Sequence, residues 1–185
     1  KLNLKRSDVF YPIHSIESSD FGRTWSPIVE HPQTLGRHPL GNNREEGICD
    51  FTPKWHAASG KVLAIGQTTV YSNDVPIRFP SCAGWSVYEP RTRTWTPWAK
   101  LAMPDEPKFL FGGAGCTQRV DLENGDILLP FHSRGVTNKT TFSTVVRCRF
   151  DGQMLRYVGH GSEHTVNIDR GLYEPSLAKF KDRFY

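Results

Sequence analysis

The chain has 185 residues, of which 37% are hydrophobic and 23% are charged, and its formal net charge is +4. These values are typical of an ordinary globular protein with a core and argue against disorder. Lysines and arginines are scattered among acidic residues, which argues against nucleic-acid binding. No run of about 18 apolar residues exists, so no membrane span is predicted, and the first residues lack the apolar centre of a signal peptide.

The first recognisable element is the motif Ser-x-Asp-x-Gly-x-Thr-Trp, which runs from Ser18 to Trp25. Asp20 at a tight turn is expected to accept hydrogen bonds from nearby backbone N–H groups. Gly22 suits the left-handed conformation that such a turn needs, and Trp25 is expected to pack its ring beneath the turn. The predicted role of this motif is in folding and not in catalysis.

A hairpin pattern, two apolar strands joined by a polar turn, recurs at intervals of about sixty residues. With 16 glycines and 13 prolines in the chain, such turns predict an all-β fold. Its three copies are Ile48 to Gln67, Gly115 to His132 and Tyr173 to Tyr185, which turn at Ser59-Gly60, Asn124-Gly125 and Lys181-Asp182. Second hairpins run from Gly84 to Trp95 and from Thr144 to Tyr157.

Four strands per repeat is the pattern of a β-propeller blade. In this register the chain forms a single partial propeller domain, made up of the end of one blade (1–30), two blades (31–103 and 104–160) and the start of another (161–185). Because each blade buries its faces against two neighbours, an incomplete ring leaves apolar faces in water. We therefore expect the 185 residues alone to be prone to aggregation or molten.

With every defining position present, Ser18–Trp25 resembles the Asp-box, or bacterial neuraminidase repeat, of sialidases. The resemblance implies a six-bladed β-propeller of sialidase type, of which about three blades are present. It also implies an exo-α-sialidase-like glycoside hydrolase that removes terminal sialic acid, or a related sugar, from glycoconjugates by a retaining mechanism. Later copies of the motif are degenerate, and Asp-boxes also occur in propellers that are not sialidases, so the motif indicates fold more strongly than function.

Two further stretches are similar to the catalytic segments of sialidases. The stretch from Tyr173 to Asp182 resembles the one in which a Glu opens a strand and activates a tyrosine nucleophile, and the resemblance assigns that role to Glu174. Asp8 precedes the Asp-box where many sialidases place the acid/base Asp. The tyrosine and the arginine triad of the family are expected outside this chain, so the 185 residues alone are expected to be inactive.

The chemistry of the family accounts for these residue types. Sialic acid carries a carboxylate on its reacting carbon, so a neutral tyrosine nucleophile avoids the like-charge repulsion that a carboxylate nucleophile would meet. An Asp near the glycosidic oxygen protonates the leaving group, and arginines bind the sugar carboxylate through forked hydrogen bonds.

Long loops between the strands carry the substrate-binding candidates. Arg170 is the strongest of these because it precedes Gly171 to Glu174 at a predicted strand entrance. His56, at the end of an apolar strand, is expected to be a core or turn residue. The full set of substrate-binding candidates is Arg170, Tyr173, Arg78, Asp50 and Gln118.

The cysteines lack the spacing of a metal site, because no Cys-x-x-Cys and no nearby pair of histidines is present. No metal and no cofactor is predicted. Each cysteine lies in or beside an apolar strand, which favours a buried thiol that behaves as a small hydrophobe. A bridge between Cys49 and Cys116 is an alternative, since both open equivalent strands.

Other functions are compatible with the same pattern. A non-catalytic Asp-box propeller that binds carbohydrate and a polysaccharide lyase on a similar propeller are the main alternatives. The stretch from Trp85 to Trp95 suggests a kelch-type propeller for protein interaction, but the Gly-Gly pair that should precede it is missing. A secreted or periplasmic location is favoured over the cytoplasm.

Overall fold

The computed structural model describes residues 9–77 and 80–185. That part of the chain is all-β, as predicted, and consists of several antiparallel sheets, one of them a curled half-barrel, with one turn of 3-10 helix at Pro107–Phe109. In chain order the strands are β1 (His14–Ser15), β2 (Val29–Glu30), β3 (His38–Gly41), β4 (Arg44–His56), β5 (Lys61–Ser72), β6 (Val75–Ile77), β7 (Ala83–Glu89), β8 (Thr94–Trp95), β9 (Ala99–Lys100), β10 (Val120–Asp121), β11 (Asp126–Ser133), β12 (Phe142–Phe150), β13 (Leu155–His160), β14 (Lys179–Phe180) and β15 (Arg183–Phe184).

The five predicted hairpins are confirmed. β4–β5, β10–β11 and β14–β15 are antiparallel pairs, and so are the second hairpins β7–β8 and β12–β13. The turns of the first three contain Gly60, Gly125 and Lys181 with φ of 66°, 82° and 53°. A positive φ is what tight hairpin turns require, which explains why Gly-containing polar pairs mark two of these turns in the sequence. Lys181 adopts the same conformation in the third turn without glycine.

Strand order groups the hairpins into units. β10-β11-β12-β13 form a four-stranded sheet, as the repeat predicts, and we call it the second unit. β4, β5, β7 and β8 form the first unit, and β14–β15 form the third. The first unit also carries β3, β6 and β9, which were not predicted. β3 and β6 are possible because the β4–β5 ladder continues to the pair Arg44–Ser72, beyond the predicted hairpin.

The main core lies between the first two units. Side chains alternate between buried and more exposed positions along β12, the period-two pattern of a strand with one covered face. Burying each large apolar side chain contributes about 1.5–3 kcal/mol, so this contact holds the two units together. Its members include Leu63, Ile65, Trp85 and Val87 from the first unit and Ile127, Leu129, Phe131 and Val146 from the second.

A buried arginine ties the second unit to the β4–β5 hairpin. Arg119, which directly precedes β10, is only 4% exposed. Its guanidinium donates hydrogen bonds to the carbonyls of Leu63 (2.6 Å) and Lys54 (3.0 Å) and to Asp121 Oδ1 (2.8 Å). The Lys54 ammonium donates in return to the Arg119 carbonyl (2.8 Å). Burial lowers the pKa of Arg119, and these acceptors compensate its charge.

The Ser18–Trp25 motif forms a turn between the paired strands β1 and β2, as predicted. Asp20 accepts hydrogen bonds from the backbone N–H (2.9 Å) and the hydroxyl (2.7 Å) of Thr24. Gly22, at φ 80°, donates its N–H to the Ser18 hydroxyl at 2.8 Å. The Trp25 ring lies against Gly22, where a Cβ would be 3.3 Å from it, but the side chain remains 56% exposed.

His56 has the structural role expected for it. Its ring is buried, with Nδ1 2.9 Å from the Ser59 hydroxyl and Nε2 3.0 Å from the Gly125 carbonyl. Within residues 9–77 and 80–185, no helix is long and apolar enough to cross a membrane.

Replacing Arg119 by alanine should lower the free energy of unfolding of the protein by about 3–5 kcal/mol, the range for breaking a buried ion pair by removing one partner. The substitution leaves Asp121 without its guanidinium and two carbonyls without their donor. Urea denaturation measures the change. The exposed Arg91→Ala is the matched control and should stay within about 0.5 kcal/mol of the wild type. A loss below about 1 kcal/mol for Arg119→Ala would contradict this role.

The Asp20 turn should titrate at unusually low pH. Hydrogen bonds, chiefly from Thr24, lower the pKa of Asp20 from 3.8 to about 2. A lowered folded-state pKa means that the contribution of the turn to stability is complete above pH 3.8 and is lost as the pH falls through about 2. The NMR shift of the Thr24 amide should therefore change with a midpoint near 2, and should stay flat in Asp20→Asn. A midpoint near 3.8 would show that the turn does not hold the carboxylate.

Candidate functional site

Three residues at matched positions share an unusual backbone. Asp50, Cys116 and Glu174 have φ of 50°, 55° and 50°. Cys116 and Glu174 precede the first hairpins of the second and third units, and Asp50 lies within β4 of the first unit. The left-handed conformation is uncommon outside glycine and costs of order 1–3 kcal/mol, so the surrounding structure must impose it. At Asp50 the β4–β5 register shifts between Cys49 and Thr52, an irregularity of the kind that redirects a side chain.

These three residues, which we call the rim, lie close together. The Cys116 N–H donates to the Asp50 carbonyl at 3.4 Å. Partial burial, and then the carboxylates of Asp50 and Glu174, raise the pKa of the Cys116 thiol. Cys116 and Glu174 are exposed and Asp50 is partly exposed. The rim therefore combines two carboxylates with a protonated thiol.

Gln67 of β5 orients one of the two carboxylates. Its side-chain amide donates to Asp50 Oδ2 at 2.8 Å. A Cβ at Gly113 would lie 2.6 Å from the Gln67 side chain, and one at Gly115 would lie 2.9 Å from both Gln67 and Asp50. Glycine is thus required at both positions for Gln67 to reach Asp50. Sequence reasoning did not identify Gln67, although the glycines at 112, 113 and 115 were a signal of a close approach.

His132 holds the corresponding place in the second unit. Gln67 and His132 pair with Ala83 and Ser143, at the beginning of the third strand of their respective units. The His132 ring packs on Tyr173 with centroids 4.0 Å apart. Only 2% of His132 is exposed, and its Nδ1 has no hydrogen-bond partner within the described part of the chain. Burial, and then the nearby charge of Arg170, lower its pKa to about 4, so the ring is neutral at physiological pH.

Arg170 and Tyr173 extend this stack. The Arg170 guanidinium carbon lies 4.3 Å from the centroid of the Tyr173 ring, a cation–π arrangement. Thr141 fixes the segment: its N–H donates to the Arg170 carbonyl (2.9 Å), and its carbonyl accepts from the Leu172 N–H (3.0 Å). Gly171, at φ 84°, allows this approach, because a Cβ there would lie 2.3 Å from the Thr141 carbonyl oxygen.

Four of the predicted site residues lie in the rim and the adjoining stack, and a fifth lies next to them. Asp50, Glu174, Tyr173 and Arg170 belong to the rim and the adjoining stack. The Gln118 backbone donates to the Ser176 hydroxyl (3.3 Å) and accepts from the Leu177 N–H (3.1 Å). Gln118 also lines a cavity of about 200 Å³ between the first two units. The predicted acid/base Asp8 and the predicted ligand Arg78 lie outside the described residues.

The cysteines differ in exposure: two are buried, Cys82 is partly exposed and Cys116 is exposed. All four are free thiols, so no Cys49–Cys116 bridge is present. Cys49 and Cys148 are buried as predicted, and burial raises the pKa of each to about 12. The prediction of a buried thiol was wrong for Cys116, which is exposed because it occupies the left-handed entry position and not a strand. No group of three or more His, Cys, Asp or Glu suited to a metal ion occurs among the described residues.

The arrangement combines hydrogen-bond acceptors, an aromatic face and a cation. Ionised carboxylates accept hydrogen bonds from hydroxyl groups, and a guanidinium binds a planar anion through paired donors. The Tyr173 side chain is 41% exposed and offers a partly apolar surface. Comparison with known proteins gives no matching protein-family model and no matching curated protein.

The alkylation rate of the Cys116 thiol should depend on the charge of the rim. In Asp50→Asn, loss of one carboxylate should favour the thiolate, which is the nucleophile, and speed alkylation at pH 8. Because repulsion also falls, the rate with anionic iodoacetate should rise about twofold or more relative to neutral iodoacetamide. Peptide mass spectrometry resolves Cys116 from the other thiols. Glu123→Gln, an exposed carboxylate at the β10–β11 turn, is the control, and equal rate ratios in both variants would contradict the described rim.

Proposed function

We propose that the chain is part of a six-bladed β-propeller of sialidase type and that the complete protein is a retaining exo-glycosidase. Its substrate would be a glycoconjugate with a terminal sialic acid or a related acidic sugar. The observation that carries this proposal is the entry of the third unit. There a cation (Arg170) stacks on an aromatic ring (Tyr173) next to a carboxylate (Glu174), and Cys116 interacts electrostatically with both Glu174 and Asp50.

The propeller is supported by contacts that repeat from one unit to the next. Isolated parallel bridges join Ser81 to Phe111 and Thr141 to Gly171, each linking the approach to a third strand with the entry of the following unit. Likewise Gln67 lies over Gly115, and His132 lies over Tyr173. A repeated interface of this kind relates the units by a constant rotation, as in a propeller. The three rim residues would then face a common axis.

The proposed roles follow from charge and chemistry. Arg170 would bind the sugar carboxylate, and the Tyr173 ring would support the sugar beside it. Asp8 would donate its proton to the glycosidic oxygen as the bond to the anomeric carbon breaks. A tyrosine contributed by another part of the protein would attack that carbon, with its proton passing to Glu174, and water would then release the sugar.

Asp50 has a binding role in this scheme. Its carboxylate is oriented by Gln67 and lies on the rim, so one oxygen accepts the amide hydrogen bond while the other can accept a sugar hydroxyl. A carboxylate and an amide side by side are a common way to bind neighbouring hydroxyl groups, because together they offer both acceptors and donors.

The test is the release of a fluorophore from an aryl α-sialoside by the complete protein. Glu174→Gln should lower kcat by about 10²–10⁴-fold, as expected for loss of general acid–base catalysis. Asp182→Asn, at the turn of the same hairpin, is the matched control and should retain wild-type kcat. Arg170→Ala should raise KM more than it lowers kcat, since it removes binding of the carboxylate.

Three results would speak against the proposal. Full activity in Glu174→Gln would show that Glu174 has no catalytic role. Binding of sialosides without hydrolysis by the wild type would favour a non-catalytic carbohydrate-binding propeller. An unsaturated sugar product would indicate a polysaccharide lyase.

A further inference from the structure

The rim has three matched positions but only two negative charges. Asp50, Cys116 and Glu174 have nearly the same backbone conformation, and the thiol interacts electrostatically with both carboxylates. Hydrogen bonds join Cys116 to Asp50 (3.4 Å) and Gln118 to Ser176 (3.3 Å), so the segments that carry the three residues are adjacent. A carboxylate at position 116 would therefore add a third negative charge near the other two. Three adjacent carboxylates would strongly disfavour any anion bound next to them.

We propose that Cys116 determines the charge selectivity of this site: its neutral thiol interrupts the acidic rim and allows an anionic sugar to bind beside Asp50 and Glu174. The inference rests on the proposed function, because it concerns the ligand of the same site. It assigns to Cys116 a role in specificity and none in the chemical step.

The thiol is held in the uncharged form that this role needs. Its raised pKa keeps it protonated at physiological pH, and the residue is exposed to solvent. The raised pKa also argues against a nucleophilic role, because the thiolate is the reactive form of cysteine.

A second titratable side chain at the site is uncharged as well. His132 is buried against Tyr173, and its Nδ1 finds no partner among the described residues, so a protonated ring would bury an unsatisfied N–H next to Arg170. Cys116 and His132 are thus both uncharged beside the Asp50 and Glu174 carboxylates and the Arg170 cation. The carboxylates can accept hydrogen bonds from hydroxyl groups, and the guanidinium attracts an anion.

The experiment compares the binding of N-acetylneuraminic acid and of its methyl ester, which differ in charge but little in shape. Dissociation constants for the complete protein are measured by ligand-observed NMR titration. Cys116→Asp should raise the Kd of the acid about tenfold or more relative to that of the ester. Cys116→Ser, which is neutral and of similar size, should keep the acid-to-ester ratio within about twofold of the wild type.

A second variant, which removes a negative charge from the rim, keeps the inference testable if Cys116→Asp does not fold. Asp50→Asn removes a negative charge, so it should strengthen binding of the acid relative to the ester. This change in the ratio is expected even if the variant weakens the binding of both sugars. An unchanged acid-to-ester ratio in Cys116→Asp and in Asp50→Asn would overturn the inference while leaving the proposed function intact. A wild-type protein that binds neither sugar would overturn the proposed function and the inference with it.

Discussion

The contact between the first and second units determines where the functional side chains lie. Apolar residues of β5 and β7 pack against those of β11 and β12, and Arg119 adds hydrogen bonds to carbonyls of the first hairpin. The apolar contact is strong but not directional, whereas the guanidinium has a fixed geometry. Together they fix the position of the segment that leads from Cys116 into β10. The close approach of Cys116 to Asp50 therefore depends on the packing of the two units in the core, away from the rim.

Glycine makes the close approach at the rim possible. Gln67 occupies the space that side chains at positions 113 and 115 would need, and Thr141 occupies the space above Gly171. Where the corresponding position carries a side chain, as at Tyr173, the residue from the preceding unit stacks on it instead. The contact between the first and second units therefore leaves Asp50 hydrogen-bonded to Gln67. The equivalent contact between the second and third units stacks His132 on Tyr173, which also contacts the Arg170 guanidinium.

Much of the fold could be predicted because its signals are local. The turns at Gly60 and Gly125 depend on backbone conformations that a dipeptide can specify, and the Asp20 turn is closed by hydrogen bonds within a few residues. The strands β3 and β6 were missed because they add to the edges of a ladder whose length is set by its partners. His38–Gly41 and Val75–Ile77 show no strong alternation of their own.

By itself, the sequence determined the all-β class and the hairpins with their repeat, because periodicity and turn chemistry act over short distances. Only the tertiary structure decided that Gln67 orients Asp50, that His132 supports Tyr173, and that Cys116 is an exposed member of the rim. These relations join residues from different strands and, for His132 and Cys116, from different units. They exist only after the units have packed, so no local pattern encodes them.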